Sequence, residues 1–137
     1  MNLRRKVLSL ALTAISVGVS CLVAATPAQA AASCRAWYDV KPWHTSTCID
    51  DQTGYFVGTG LISVDGHPSN CHRYRVYLVD IYGAERFSTG AWACSTTSIT
   101  VSQPVSYFSD SFAFSRLKAF DTAGNVILII DSPVRQL

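Results

Sequence analysis

Along residues 72–82 apolar and polar side chains alternate: Tyr74, Val76 and Leu78 interleave with Arg73, Arg75 and Tyr77. A period of two predicts a strand whose first set turns to a core. The same signals predict strands over 35–43, 54–64, 86–94, 97–102, 111–121 and 125–131, separated by Gly, Pro, Asn and Asp. Within 35–43, Ala36, Tyr38 and Val40 share one face, and Arg35, Trp37, Asp39, Lys41 and Trp43 share the other. Gly83, Ala84 and Glu85 turn the chain from 72–82 into a hairpin with 86–94. Residues 126–130 are all aliphatic, which suits a central strand covered on both faces; at an open edge such a run invites aggregation. Short strands at this spacing, with no sustained helical period after residue 30, predict an all-β, two-sheet sandwich of about seven strands.

The start of the chain follows a different pattern. Arg4, Arg5 and Lys6 precede an apolar, uncharged run over 7–25, then Pro27 and Ala28-Gln29-Ala30. A basic start, an apolar stretch and small residues at the −3 and −1 positions form a secretion signal. Residues 1–30 are therefore expected to be removed, with Ala31 or Ala32 as alternative starts, leaving 31–137 as one exported domain. The run approaches membrane-spanning length, but the cleavage site and the polar sequence after it argue against a retained anchor. Arg4-Arg5 also fits a twin-arginine signal, although an ordinary basic start has the same letters, and the general secretory route is preferred. Gly18 stands where a lipoprotein signal places a larger aliphatic residue, so Cys21 is expected to leave with the leader.

Processing changes the electrostatic picture. Losing Arg4, Arg5 and Lys6 takes the formal charge from +2 to −1. A near-neutral domain has no cationic field for nucleic acid or anionic lipid, so neither is an expected partner. The five cysteines become four, Cys34, Cys48, Cys71 and Cys94. An even count in an exported chain implies disulfides, and of three connectivities Cys34–Cys48 with Cys71–Cys94 is preferred. The second pair brackets the expected hairpin. No Cys-x-x-Cys spacing suggests a metal site.

The segment Leu117-Lys118-Ala119-Phe120-Asp121-Thr122-Ala123-Gly124-Asn125-Val126 resembles the last hairpin of bacterial immunoglobulin-like and fibronectin type III-like domains. Leu117 and Ala119 would point inward, Asp121 would cap the turn, and Gly124 and Asn125 would take left-handed backbone angles. Ser132-Pro133-Val134 resembles the usual end of such domains. The resemblance implies an immunoglobulin-like sandwich and, by analogy, a binding or spacing role. It brings no catalytic residues.

Candidate chemistry is sparse. His44, His67 and His72 lie in no recognisable nucleophile arrangement, and no Gly-x-Ser-x-Gly elbow occurs. Catalysis is not expected, and neither a cofactor nor a metal is called for. Asp50-Asp51 before Thr53-Gly54 reads as a solvated turn rather than a calcium loop, lacking the EF-hand pattern. Nothing fixes Asp39 and Asp80 at the separation of glycosidase carboxylates. Trp37, Trp43 and His44 form the candidate ligand-binding group, because aromatic faces stack on sugars and anchor protein partners. Tyr38 and Trp92 read as core.

The expected function is thus a secreted, non-catalytic binding domain for an extracellular glycan or protein. One alternative is a small secreted protease inhibitor, similar in plan to subtilisin inhibitors from filamentous soil bacteria, with Pro68, Ser69 and Asn70 as its exposed loop. Another is an envelope structural domain.

Overall fold

The computed structural model describes residues 32–137, so the expected leader over 1–30 lies outside the described residues. The long strands are β3 (Trp43–Gln52), β4 (Tyr55–Ile62), β5 (Arg73–Asp80), β8 (Ser98–Pro104), β9 (Phe112–Phe120) and β10 (Val126–Asp131). Short ones are β1 (Ser33–Cys34), β2 (Tyr38–Val40), β6 (Glu85–Ser88), β7 (Trp92–Ala93) and β11 (Arg135–Gln136). Sheet one has the order β1–β3–β4–β8, with β2 also on β3; sheet two has the order β10–β9–β5–β6, with β7 on β5 and β11 on β9. Every pairing is antiparallel. The all-β, two-sheet sandwich read from the alternation is therefore the observed fold.

Alternation places the core where expected: Tyr74, Val76 and Leu78 on β5 are fully buried, as are Leu117 and Ala119 on β9. They meet Trp43, Ile49, Phe56 and Ile62 from sheet one. The sheets approach closely at Gly60. A Cβ there would stand 2.3 Å from Val76 Cγ2 and 2.9 Å from Leu117 Cδ1, so only glycine fits. Beside it a polar bridge crosses the core, with Thr47 Oγ1 lying 2.8 Å from Ser115 Oγ.

Two expectations about strands are corrected. The predicted strand over 35–43 is not continuous: β2 ends at Val40, the chain turns at Lys41 and Pro42, and β3 begins at Trp43. β3 itself escaped the hydrophobic pattern because two of its inward positions are threonines. Thr45 Oγ1 donates to Leu61 O at 2.5 Å and Thr47 Oγ1 to Thr59 O at 3.1 Å, which satisfies both hydroxyls within the ladder. Second, the aliphatic run of β10 is an edge strand rather than a central one. It pairs with β9 alone, leaves Val126 and Ile129 exposed, and carries a bulge between Val126 and Leu128, a device that discourages edge pairing.

Both expected disulfides are present. Cys34 and Cys48 face each other across β1 and β3, while Cys71–Cys94 closes the chain around β5, β6 and β7. The last hairpin also forms as expected, with Asp121 accepting from the Asn125 backbone N–H at 2.8 Å. Gly124 takes a φ of 87°; Asn125 does not enter that region.

Candidate functional site

β2 and β3 form a tight hairpin in which Asp39 pairs with His44 and Val40 with Trp43. Just before β2, the Trp37 indole lies flat on the His44 imidazole, with centroids 4.4 Å apart and planes 2° from parallel. His44 Nδ1 stands 3.6 Å from Asp39 Oδ1. The strand is anchored from behind by the turn at 63–66: His44 N–H donates to Gly66 O at 2.8 Å, and Ser63 N–H donates to His44 O at 3.0 Å. Between hairpin and turn lies a cleft of about 370 Å³, lined by Asp39, Lys41, Pro42, Trp43, His44 and Asp65.

The three tryptophans separate by environment. Trp37 is 49% exposed, whereas Trp43 is only 8% exposed because β3 turns it into the core. The two rings therefore do not share one strand face, since the turn at Lys41 and Pro42 reverses the chain between them. Trp92, expected in the core, is 50% exposed on the short edge strand β7, while Tyr38 packs against the core as expected. Asp65 and Gly66, unremarked in the sequence beyond their turn character, complete the cleft from a different loop.

The remaining candidates lie apart. Ser69 and Asn70 are exposed in a turn closed by Cys71 N–H donating to Pro68 O at 2.9 Å, next to the Cys71–Cys94 bridge. His67 Nδ1 lies 3.2 Å from Pro68 O, and His72 is exposed at the start of β5. Asp51 is engaged by Arg135 Nε at 2.7 Å, and Asp50 caps the N–H of Asp51 at 2.8 Å. Among the described residues, no group of three or more His, Cys, Asp or Glu is placed to hold a metal ion.

Asp80 belongs to sheet two and Asp39 to sheet one. Asp80 organises the turn into β6. It accepts N–H groups from Tyr82 at 3.0 Å and Ala84 at 2.9 Å, and the Arg86 guanidinium at 2.7 Å. Burial pushes its carboxyl pKa up, but the Ala84 N–H, Arg86 and the Tyr82 N–H together outweigh that and hold it below the usual carboxylate value. Tyr74 shows the opposite balance: burial raises its phenol to about 12, and its hydroxyl donates to Thr96 O at 2.7 Å.

Comparison with protein-family models, with curated proteins and with solved structures finds no match to this chain.

Proposed function

We propose that this chain is an exported, non-catalytic binding domain that takes a segment of an extracellular glycan or protein at the Trp37–His44 cleft. One observation carries the reading: a half-exposed indole, Trp37, lies flat against His44, and His44 itself lines a cleft whose wall also offers Asp39, Asp65 and Lys41. An indole fixed in orientation loses little freedom on binding, and flat rings stack well on sugar faces. Carboxylate and ammonium groups beside it suit the hydroxyls of a sugar or the polar atoms of a peptide. The chemistry favours holding over reacting: His44 spends one face on Trp37 and turns Nδ1 to Asp39, while the nearest hydroxyl on its strand, Thr45, is committed to a backbone carbonyl.

Export is supported by the leader pattern in 1–30 and by two disulfides, which persist in oxidising compartments. Among the described residues, no helix is long and apolar enough to cross a membrane. An immunoglobulin-like plan is supported by strand order. In such sandwiches strands A, B and E share one sheet, and C, F and G the other, with C′ joining C. Giving those letters to β3, β4, β8 and to β5, β9, β10, with β6 as C′, reproduces both observed orders. β1 and β2 are then an added edge, and neither disulfide is the inter-sheet pair of antibody domains.

The protease-inhibitor reading has less support. An inhibitory segment lies extended in its enzyme's cleft, whereas 68–71 is closed into a turn by its own backbone hydrogen bond. The test is a glycan array probed with the purified exported protein and with Trp37→Ala. Binding that is lost in the variant, at an unchanged unfolding temperature, supports the reading. Binding that survives Trp37→Ala sends the site elsewhere.

A further inference from the structure

The outer face of sheet two carries four cations from two neighbouring strands. Arg73, Arg75 and Tyr77 project from β5 beside Phe120, Lys118 and Arg116 of β9, paired in that order across the ladder. The β9 cations are neutralised. Arg116 donates to both oxygens of Asp131 at 2.7 and 2.9 Å, and Lys118 Nζ lies 2.5 Å from Glu85 Oε1. The β5 cations are not: among the described residues neither Arg73 nor Arg75 has an ion pair or a side-chain hydrogen bond.

That imbalance costs stability. Arg75 sits directly opposite Lys118, and like charges facing each other across a ladder repel. Lys118 relieves its side through Glu85 and by lying 5.1 Å from the centre of the Tyr77 ring, but Arg75 is half-buried with no counter-charge. The face here is concave, a hollow of about 210 Å³ lined by Arg73, Arg75, Tyr77, Phe120 and Gly124. That volume equals about seven water molecules, enough for a phosphate and the ring it is attached to. Gly124 borders the hollow at the hairpin turn, where its φ of 87° favours glycine.

We propose that this hollow is a second binding site, distinct from the Trp37 cleft, that takes a phosphorylated sugar of an extracellular glycan. The forked guanidinium groups of Arg73 and Arg75 match the oxygens of one phosphate. Phe120 and Tyr77 supply apolar ring surface for the attached sugar. The exported domain is close to neutral overall, so recognition is local rather than steered by a long-range field.

The test titrates the purified exported protein with a hexose phosphate, the matching neutral hexose, inorganic phosphate, and vesicles of phosphatidylglycerol in phosphatidylcholine. The hexose phosphate is expected to bind and the neutral hexose not to. Arg73→Gln and Arg75→Gln should each weaken binding at least tenfold, and the double variant should abolish it. A positioning role in the fold makes a different forecast from a ligand role: Arg75→Gln removes the repulsion with Lys118, so its unfolding temperature should hold or rise while binding falls. A marked drop in unfolding temperature alongside lost binding overturns the proposal. So does inorganic phosphate binding as tightly as the hexose phosphate, vesicle binding without hexose phosphate binding, or full affinity in the double variant.

Discussion

Thr47 of sheet one and Ser115 of sheet two join hydroxyls at 2.8 Å in the buried centre of the sandwich. Among the described residues no other side chain reaches Ser115 Oγ, whereas Thr47 Oγ1 also donates to Thr59 O, so the serine depends on the threonine. Thr47→Val keeps the shape but strands the serine hydroxyl, an expected loss of about 1–3 kcal/mol. Thr47→Val with Ser115→Ala should recover part of it. Urea unfolding of the four proteins in this double-mutant cycle measures the coupling; strictly additive losses would mean that the bridge contributes nothing.

Close approach of the sheets at Gly60 has its own signature. Gly60→Ala drives a methyl to 2.3 Å from Val76 Cγ2, on a stiff β-branched side chain with no exposed surface. The expected cost is about 1–3 kcal/mol by overpacking. Gly90→Ala, where nothing lies within 4 Å, is the control and should unfold close to the parent in a thermal melt.

Acid should unfold the domain partly through Asp80. Its carboxyl pKa is lower folded than its ordinary value of 3.8, so its contribution to stability is complete above that value and lost as pH falls below it. Asp121, held low chiefly by hydrogen bonds from Asn125, acts in the same direction. The Asp80→Asn variant should be less stable at neutral pH, and its stability should fall less steeply than the parent's below pH 3.8. Denaturant melts across that range read both effects.

The two disulfides should differ in function though not in kind. Each loop closure contributes about 3 kcal/mol in the chain-entropy model. Cys34–Cys48 ties β1 to β3 just before Trp37, whereas Cys71–Cys94 joins the residues just before β5 and just after β7, and neither cysteine lines the cleft. Replacing Cys34 and Cys48 by Ser should lower both the unfolding temperature and glycan binding at Trp37. The same change at Cys71 and Cys94 should lower the unfolding temperature alone. Calorimetry paired with a binding titration separates the two.

What could be read ahead of the structure follows the physics of each segment. β5 and β9 announce themselves because their inward residues are apolar and their outward ones charged. β3 does not, since Thr45 and Thr47 look polar until their hydroxyls find backbone carbonyls. The edge position of β10 is invisible in an aliphatic run, because a strand's neighbours are set by topology rather than composition. At the site, the aromatic and histidine residues were legible but their partnership was not: one turn at Lys41 and Pro42 buries Trp43 and brings His44 under Trp37. The alternation of Arg73, Arg75 and Tyr77 was equally visible, yet which cations lack a carboxylate depends on strands far apart in the chain.

The most direct measurement is an NMR titration of the protein with the glycan that scores highest on the array, following the indole N–H signals of its three tryptophans. Binding at the cleft should shift Trp37 most, move the largely buried Trp43 slightly, and leave Trp92 in place. A shift confined to Trp92, or none at Trp37 on saturation, would contradict a binding site built on the Trp37–His44 stack.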